Sequence, residues 1–243
     1  MGDAAKPSSA PLLSVVVPVR NEAENIAPLV AEIRAALAGQ AFEIVYVDDG
    51  STDGTPAALS ACAGADLVVR RHRASCGQSA AIVSGVQAAR GTWIATLDGD
   101  GQNDPADIPR LLARAIETGG RALIAGHRVN RKDSSKKRWA SRCANGIRAR
   151  LLRDDTPDTG CGLKVFARDA FMALPHFDHM HRYLPALFLR AGLRVESVPV
   201  NHRPRLRGAS NYGVWDRALV GIVDLFGVMW LQRRGRRPDY DAP

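Results

Sequence analysis

An α/β fold on a mostly parallel sheet is what the sequence predicts, and three observations predict it. Apolar, β-branched runs recur along the first half of the chain, helical patterns fall between them, and the runs end in polar, glycine-bearing turns. With 243 residues, 46% of them hydrophobic and 24% charged, the chain can bury a core.

The elements follow in order. "LLSVVVP", Leu12 to Pro18, reads as a strand covered on both faces. Ile26, Leu29, Val30, Ile33 and Leu37 then recur at helical spacing between about Glu22 and Ala38. "FEIVYVDDGSTDGT" repeats the strand-then-turn pattern, and "PAALSACA" continues it as a helix. Further β-like runs lie at Asp66 to Arg70, Trp93 to Asp98 and Ala122 to Gly126, with helical segments near Gln78 to Arg90 and Pro105 to Thr118. This alternation suits parallel crossovers. After Gly126 it weakens into a basic stretch, the run "DTGCGLKVFARD" and a short strand at Leu193 to Val200.

The net charge of +8 is concentrated: Arg128 to Arg153 holds ten Lys/Arg against one acid, Asp133. Such a patch suits nucleic acid, anionic lipid or a phosphorylated substrate. It lacks interleaved aromatics apart from Trp139, so no nucleic-acid partner is expected. Cys62, Cys76, Cys143 and Cys161 show no Cys-x-x-Cys spacing and read as free thiols of a reducing compartment. Met1 to Pro11 lacks the apolar core of a signal peptide, which points to a cytoplasmic site. Trp215 to Leu231 is apolar almost all round and is followed by Arg233, Arg234, Arg236 and Arg237. Two readings stay open for it: an interfacial helix with a basic anchor, or a core-packing helix with a solvated tail.

In parallel sheets ligands sit beyond the carboxyl ends of the strands, so "PVRNE", "DDGSTD" and "DGDGQ" should converge on one cleft. Asp98 and Asp100, two apart, can face one side, and Gln102 adds a carbonyl oxygen. Oxygen ligands without thiol or imidazole suit a hard cation, Mg²⁺ or Mn²⁺. Asp104 before Pro105 reads as a helix cap, and so does Asp53. His176, His179 and His181 have no matching acidic partner beside them and are not read as metal ligands.

"VVVPVRNEAENI", "IVYVDDGSTDGT" and "LDGDGQNDP" resemble the signature blocks of family 2 glycosyltransferases of the GT-A fold, and within these the polyprenyl-phosphate glycosyltransferases. The resemblance runs from about Leu13 to Trp230. It implies that Pro18, Arg20, Asn21, Glu22, Asp49 and Asp98 bind the nucleotide of a nucleotide-sugar donor, and that Asp98, Asp100 and Gln102 hold the metal. It places the acceptor phosphate at Arg128, Lys137, Arg138, Ser141 and Lys164, and catalysis at Asp100, Arg128, Asp158 and Arg205. Lys137 stands where an arginine is usual, and Asn211 where a lysine is usual, departures that leave open a catalytically silent relative.

The chain then divides into a flexible N-terminus at 1–11, a catalytic domain at 12–213, and a C-terminal amphipathic helix with a basic tail at 214–243. The implied activity is inverting, metal-dependent transfer from a GDP- or UDP-linked sugar to a polyprenyl phosphate, beside an anionic membrane surface. A saccharide or protein hydroxyl acceptor is the alternative; it would need a carboxylate base, for which Asp158 is the candidate.

Overall fold

The computed structural model describes residues 10–129, 146, 148–204 and 214–234, with 214–220 described in backbone only. Lys137, Arg138, Ser141, Arg205 and Asn211 lie outside the described residues. The strands are β1 (Leu13–Val19), β2 (Phe42–Asp48), β3 (Leu67–Arg71), β4 (Trp93–Thr96), β5 (Ala122–Arg128), β6 (Lys164–Ala167) and β7 (Arg194–Val200). The helices are α1 (Ala23–Ala36), α2 (Thr55–Ala61), α3 (Gln78–Ala88), α4 (Ile108–Glu117), α5 (Arg168–Met172), α6 (Leu184–Arg190) and α7 (Val214–Arg234). One sheet joins the strands in the order β3-β2-β1-β4-β6-β5-β7. Its pairings are parallel except the two made by β6, so the sheet is mostly parallel, as the sequence predicts.

The unbroken apolar run of β1 has a simple cause. Successive strand residues point to opposite faces. Leu13, Val15, Val17 and Val19 enter one core with Ile26, Ile33, Leu59 and Leu111, while Val16 enters the other with Ile82, Val86, Leu187 and Phe188. Helices cover both faces, so neither can be polar. Ser14 is the exception, and a network satisfies it: its hydroxyl donates to Glu43 (2.7 Å) and accepts from the Gly91 N–H (2.9 Å). Glu43 also accepts the backbone N–H and Nε of Arg90, so the turn into β4 is fixed by a buried carboxylate.

Both predicted carboxylates accept backbone N–H groups at helix starts, although Gly54, one residue after Asp53, holds the N-cap position of α2. Asp104 accepts the Ala106 N–H at 3.0 Å, at a single 3-10 turn (Pro105–Asp107) that leads into α4. Asp53 accepts the N–H of Thr55, first residue of α2, at 3.0 Å. The strand β6 is an addition to the sequence reading, which passed over "KVFA" inside a longer run. It pairs antiparallel with both β4 and β5. Its direction matters for the site, because the loop that enters it must lie at the edge where β4 and β5 end. Cys62, Cys76 and Cys161 are free thiols.

Candidate active site

The chain winds outward from β1 through β2 to β3, then returns to β4 on the other side of β1. Such a switch point leaves a crevice beyond the strand ends. Here the crevice is a cleft of about 670 Å³. Pro18, Arg20, Glu22, Asp49, Asp98, Asp100 and Lys164 line it, so the three predicted turns do converge, and residues 159–162 before β6 close the far side.

The turns after β1 and β2 are knitted together. Asn21, in the left-handed region at φ 57°, accepts the Thr52 N–H on its side-chain oxygen (2.8 Å), and its own N–H donates to Ser51 Oγ (2.9 Å). Asn21 therefore holds the cleft's rim and is not among the residues facing in. Asp49 is buried, and its carboxylate is spent on the segment that leads into α3. It accepts the N–H groups of Cys76 and Gly77 (2.8 and 2.9 Å) and the Ser75 hydroxyl (2.7 Å), and His72 Nδ1 sits 2.7 Å away. Burial alone would raise its pKa; these bonds outweigh burial and leave it below the ordinary value. Asp49, His72 and Cys76 also form a group close enough to share a metal ion, but the hydrogen bonds already account for the aspartate.

Asp98 and Asp100 both line the cleft. Burial, and behind it the Asp100 carboxylate, pushes the Asp98 pKa up to about 6, while Lys164, Arg128 and a hydrogen bond from Gln78 hold it down. The two carboxylates form an oxygen-donor pair suited to a hard divalent cation, whose charge would favour the ionised form of Asp98. Gln102 does not join them. Its amide donates towards the Arg203 carbonyl at 3.5 Å, its N–H donates to Asp100 Oδ1 at 3.1 Å, and it lies outside the cleft lining. Gly162 packs on Asp98 so closely that a Cβ there would fall 2.1 Å from Oδ2, and Thr96 Oγ1 pins the Gly162 carbonyl at 2.7 Å.

The same loop carries the cations. Lys164 is buried, and its ammonium donates to the carbonyls of Cys161 and of Thr159, the latter at 3.3 Å. Burial pushes its pKa down against the pull of Cys161, Asp98 and Asp158. Arg128, last residue of β5, makes a two-pronged bond to Asp158, Nε to Oδ2 at 2.7 Å and one terminal nitrogen to Oδ1 at 2.8 Å. Its backbone N–H adds a third contact to Oδ2 at 3.2 Å. Asp158 is thus a holder of Arg128, which does not fit the general-base role the hydroxyl-acceptor alternative needs.

His179 and His181 line the cleft, whereas His176 lies against Phe171, ring centroids 5.6 Å apart. Ser79 Oγ is 2.7 Å from His181 Nδ1 and accepts the His181 backbone N–H at 3.2 Å, fastening α3 to the opposite wall. Burial, then the charges of Arg182, Lys164 and His179, push the His181 pKa down to about 3. An unfolded histidine takes up its proton near 6.5. The stability that neutral His181 contributes is therefore complete above about pH 6.5 and is lost as pH falls towards 3, an effect of a few kcal/mol. Thermal melts of wild type and His181→Asn between about pH 7 and pH 4 should show a shallower decline in the variant; equal slopes would put the acid sensitivity elsewhere.

Sequence reasoning missed Gln78, whose amide donates to Asp98 Oδ1 at 2.9 Å, and Thr96, Ser79 and His72. Gln78 opens α3 straight after Gly77, and a polar residue at the first turn of a helix facing a strand end is the signal that could have found it.

Glycosyl transferase family 2 matches residues 14–174. A dodecaprenyl-phosphate galacturonate synthase of Rhizobium johnstonii is 36% identical over 238 residues, covering 94% of this chain and 69% of that protein. An undecaprenyl-phosphate 4-deoxy-4-formamido-L-arabinose transferase of Pseudomonas aeruginosa is 36% identical over 229 residues, covering 92% of this chain and 67% of that protein. Among solved structures, a Pyrobaculum calidifontis mannosyltransferase in complex with GDP-Man and Mn²⁺ superposes with a TM-score of 0.66 at 23% identity, over 97% of this chain and 68% of its own. Glucosyl-3-phosphoglycerate synthase of Mycobacterium tuberculosis, with Mn²⁺, UDP and phosphoglyceric acid, gives 0.70 at 18% identity, over 93% and 80%. The switch-point cleft, the order of its three turns and these matches lead to one assignment: the chain belongs to glycosyl transferase family 2 and has the GT-A fold.

Proposed function

We propose that the protein transfers a sugar, with inversion, from a nucleotide diphosphate donor to a polyprenyl phosphate at the cytoplasmic face of a membrane. The observation that carries the acceptor class is the Arg128–Asp158 pair. A hydroxyl acceptor needs a base, and Asp158 has both oxygens on a guanidinium. A phosphate monoester needs none, because its second pKa near 6 leaves it largely anionic at neutral pH. The two relatives named above, one for dodecaprenyl phosphate and one for undecaprenyl phosphate, support the same reading.

Asp98 and Asp100 would hold a divalent cation, Mg²⁺ or Mn²⁺, with the donor diphosphate. When bound, that ion offsets the charge of the departing nucleoside diphosphate. The chain's own residues do the rest. Gln78 and the close-packed Gly162 fix the direction of the Asp98 carboxylate. Pro18, Arg20 and Glu22 border the nucleoside end, and Asp49 holds the 72–77 segment that closes it. Arg128 and Lys164, positive groups fixed by the 158–164 loop, favour an incoming phosphate and a developing negative charge. Alignment of two anions across one sugar carbon then supplies the remaining rate enhancement.

The test is a transfer assay: UDP- and GDP-linked sugars, each with Mg²⁺ or Mn²⁺, offered with a polyprenyl phosphate, the lipid fraction being read by mass spectrometry. A lipid-linked phosphosugar formed from one donor is expected. Transfer to free saccharides at equal rate, or no lipid product with any donor, would overturn the proposal.

A further inference from the structure

The helix α7 shows two unlike faces. Inward, Val228 is buried with Leu152, Tyr183 and Ala186, the Tyr183 hydroxyl donates to the Gly221 carbonyl (2.9 Å), and Asp224 pairs with His179 of the cleft wall (3.1 Å). Outward, Ile222, Val223, Phe226 and Trp230 are 53%, 70%, 63% and 59% exposed. At 3.6 residues per turn these four fall within an arc of about 100°, a continuous apolar stripe along the free side of the helix. Scattered exposed hydrophobics are ordinary; four on one helix face are not.

The stripe ends in a basic rim. Arg233 and Arg234 are exposed on the last turn. Beside them the helical stretch at 148–152 presents exposed Arg150 and Leu151, with exposed Arg153 in the turn after it, and it is tied to α7 by the Gln232 amide donating to the Leu152 carbonyl (2.9 Å). A groove of about 410 Å³ runs between the two, with Leu152, Leu189 and Met229 along it and Arg153, Arg190 and Arg233 at its edges. Among the described side chains of α7 the acid is Asp224, and His179 holds it on the inner face.

We infer that this face docks the protein on an anionic phospholipid bilayer, with Ile222, Phe226 and Trp230 at the acyl boundary and Arg150, Arg153, Arg233 and Arg234 at the lipid phosphates. An apolar stripe bordered by arginines complements both layers of such a surface, where neither water nor a neutral partner matches the rim. Among the described residues no helix is long and apolar enough to cross a membrane, so α7 is read as lying on the bilayer. The inner face of α7 is fastened to the cleft wall through His179, which brings the bilayer within about one helix diameter, ~10 Å, of the wall. The docking deepens the lipid-acceptor reading and rests on it only for its purpose, since the surface is read without any substrate.

Cosedimentation of the whole chain with phosphatidylcholine vesicles, and with phosphatidylcholine mixed with phosphatidylglycerol, tests it. Wild type should bind the anionic vesicles and be released by high salt. Phe226→Glu with Trp230→Glu should weaken binding at least ~tenfold, and Arg233→Gln with Arg234→Gln by a comparable factor, each lost arginine removing about fivefold. The four residues changed are solvent-facing, and far-ultraviolet circular dichroism checks that each variant folds. Transfer to a water-soluble short-chain prenyl phosphate without vesicles should stay at the wild-type rate. Unchanged vesicle binding in both variants overturns the docking face, as does sedimentation showing a dimer that the Phe226 and Trp230 substitutions dissolve. Loss of soluble-acceptor transfer in wild type itself would count against the proposed function and leave the docking result standing.

Discussion

Asp100→Ala is expected to lower transfer by about a thousandfold while leaving the unliganded protein at least as stable as wild type. The rate effect corresponds to about 4 kcal/mol of transition-state stabilisation, the scale of removing one preorganised charge contact together with part of a metal site. The stability effect has the opposite sign for a reason visible in the cleft. Asp98 is pushed up to about 6 by burial and then by Asp100, so keeping Asp98 ionised costs folding energy that builds above about pH 4 and is complete above about pH 6. Removing Asp100 relieves the repulsion. The two effects together separate a functional carboxylate from a structural one. Thermal shifts supply the check: with Mn²⁺ and the matching nucleotide sugar, wild type should gain up to about 2.7 kcal/mol at a ligand concentration of 100 times Kd, and the variant nothing. A variant that kept the metal-dependent shift would remove Asp100 from the cation site.

Much of this arrangement is legible in the sequence because it is local. "LLSVVVP" and "EIVYVD" read as buried strands since both sheet faces are covered, and parallel strands put the residue after each run at the same edge. That rule brought the turns carrying Arg20, Glu22, Asp49, Asp98 and Asp100 to one cleft, and the family resemblance singled out Arg20 and Glu22 within their turn. What sequence could not give is non-local. Gly162 meets Asp98 and Thr96 only because a four-residue antiparallel strand, too short to show a period, reverses into the sheet between β4 and β5. Ser79 meets His181 across 102 residues. Gln102 looked like a ligand by spacing, yet Gly101 at φ 72° turns the chain before it, and its side chain goes to Arg203. The exposed stripe of α7 is a fourth case. Its apolar residues are as hydrophobic as core residues, and only the packing of Val228 and Asp224 decides which side is left open.

The Arg128–Asp158 pair should behave as one unit, and a double-mutant cycle exposes this. The two side chains are 16% and 8% exposed, so either removed alone leaves an uncompensated buried charge, a cost of about 3–5 kcal/mol. Asp158→Asn should therefore lose stability and transfer together, because the neutral amide cannot hold the guanidinium fork against the 158–164 loop. A general base gives a different signature: Asp158→Asn would abolish turnover, remove an ionisation from the pH–rate profile, and leave the melting temperature nearly unchanged. Arg128→Met should lose transfer by about 10²–10³-fold, since a fixed positive charge beside the reacting phosphates is gone. The informative member is the double variant Arg128→Met with Asp158→Leu. Replacing a buried ion pair by apolar residues of similar size is often neutral or stabilising, so the double variant should recover most of the lost stability. It should recover none of the lost transfer, because Asp158 acts through Arg128 and the arginine is absent. Transfer restored alongside stability would mean that neither charge takes part in the reaction. A single Asp158→Asn that melted like wild type while losing an ionisation would return Asp158 to the role of base and reopen the hydroxyl-acceptor alternative.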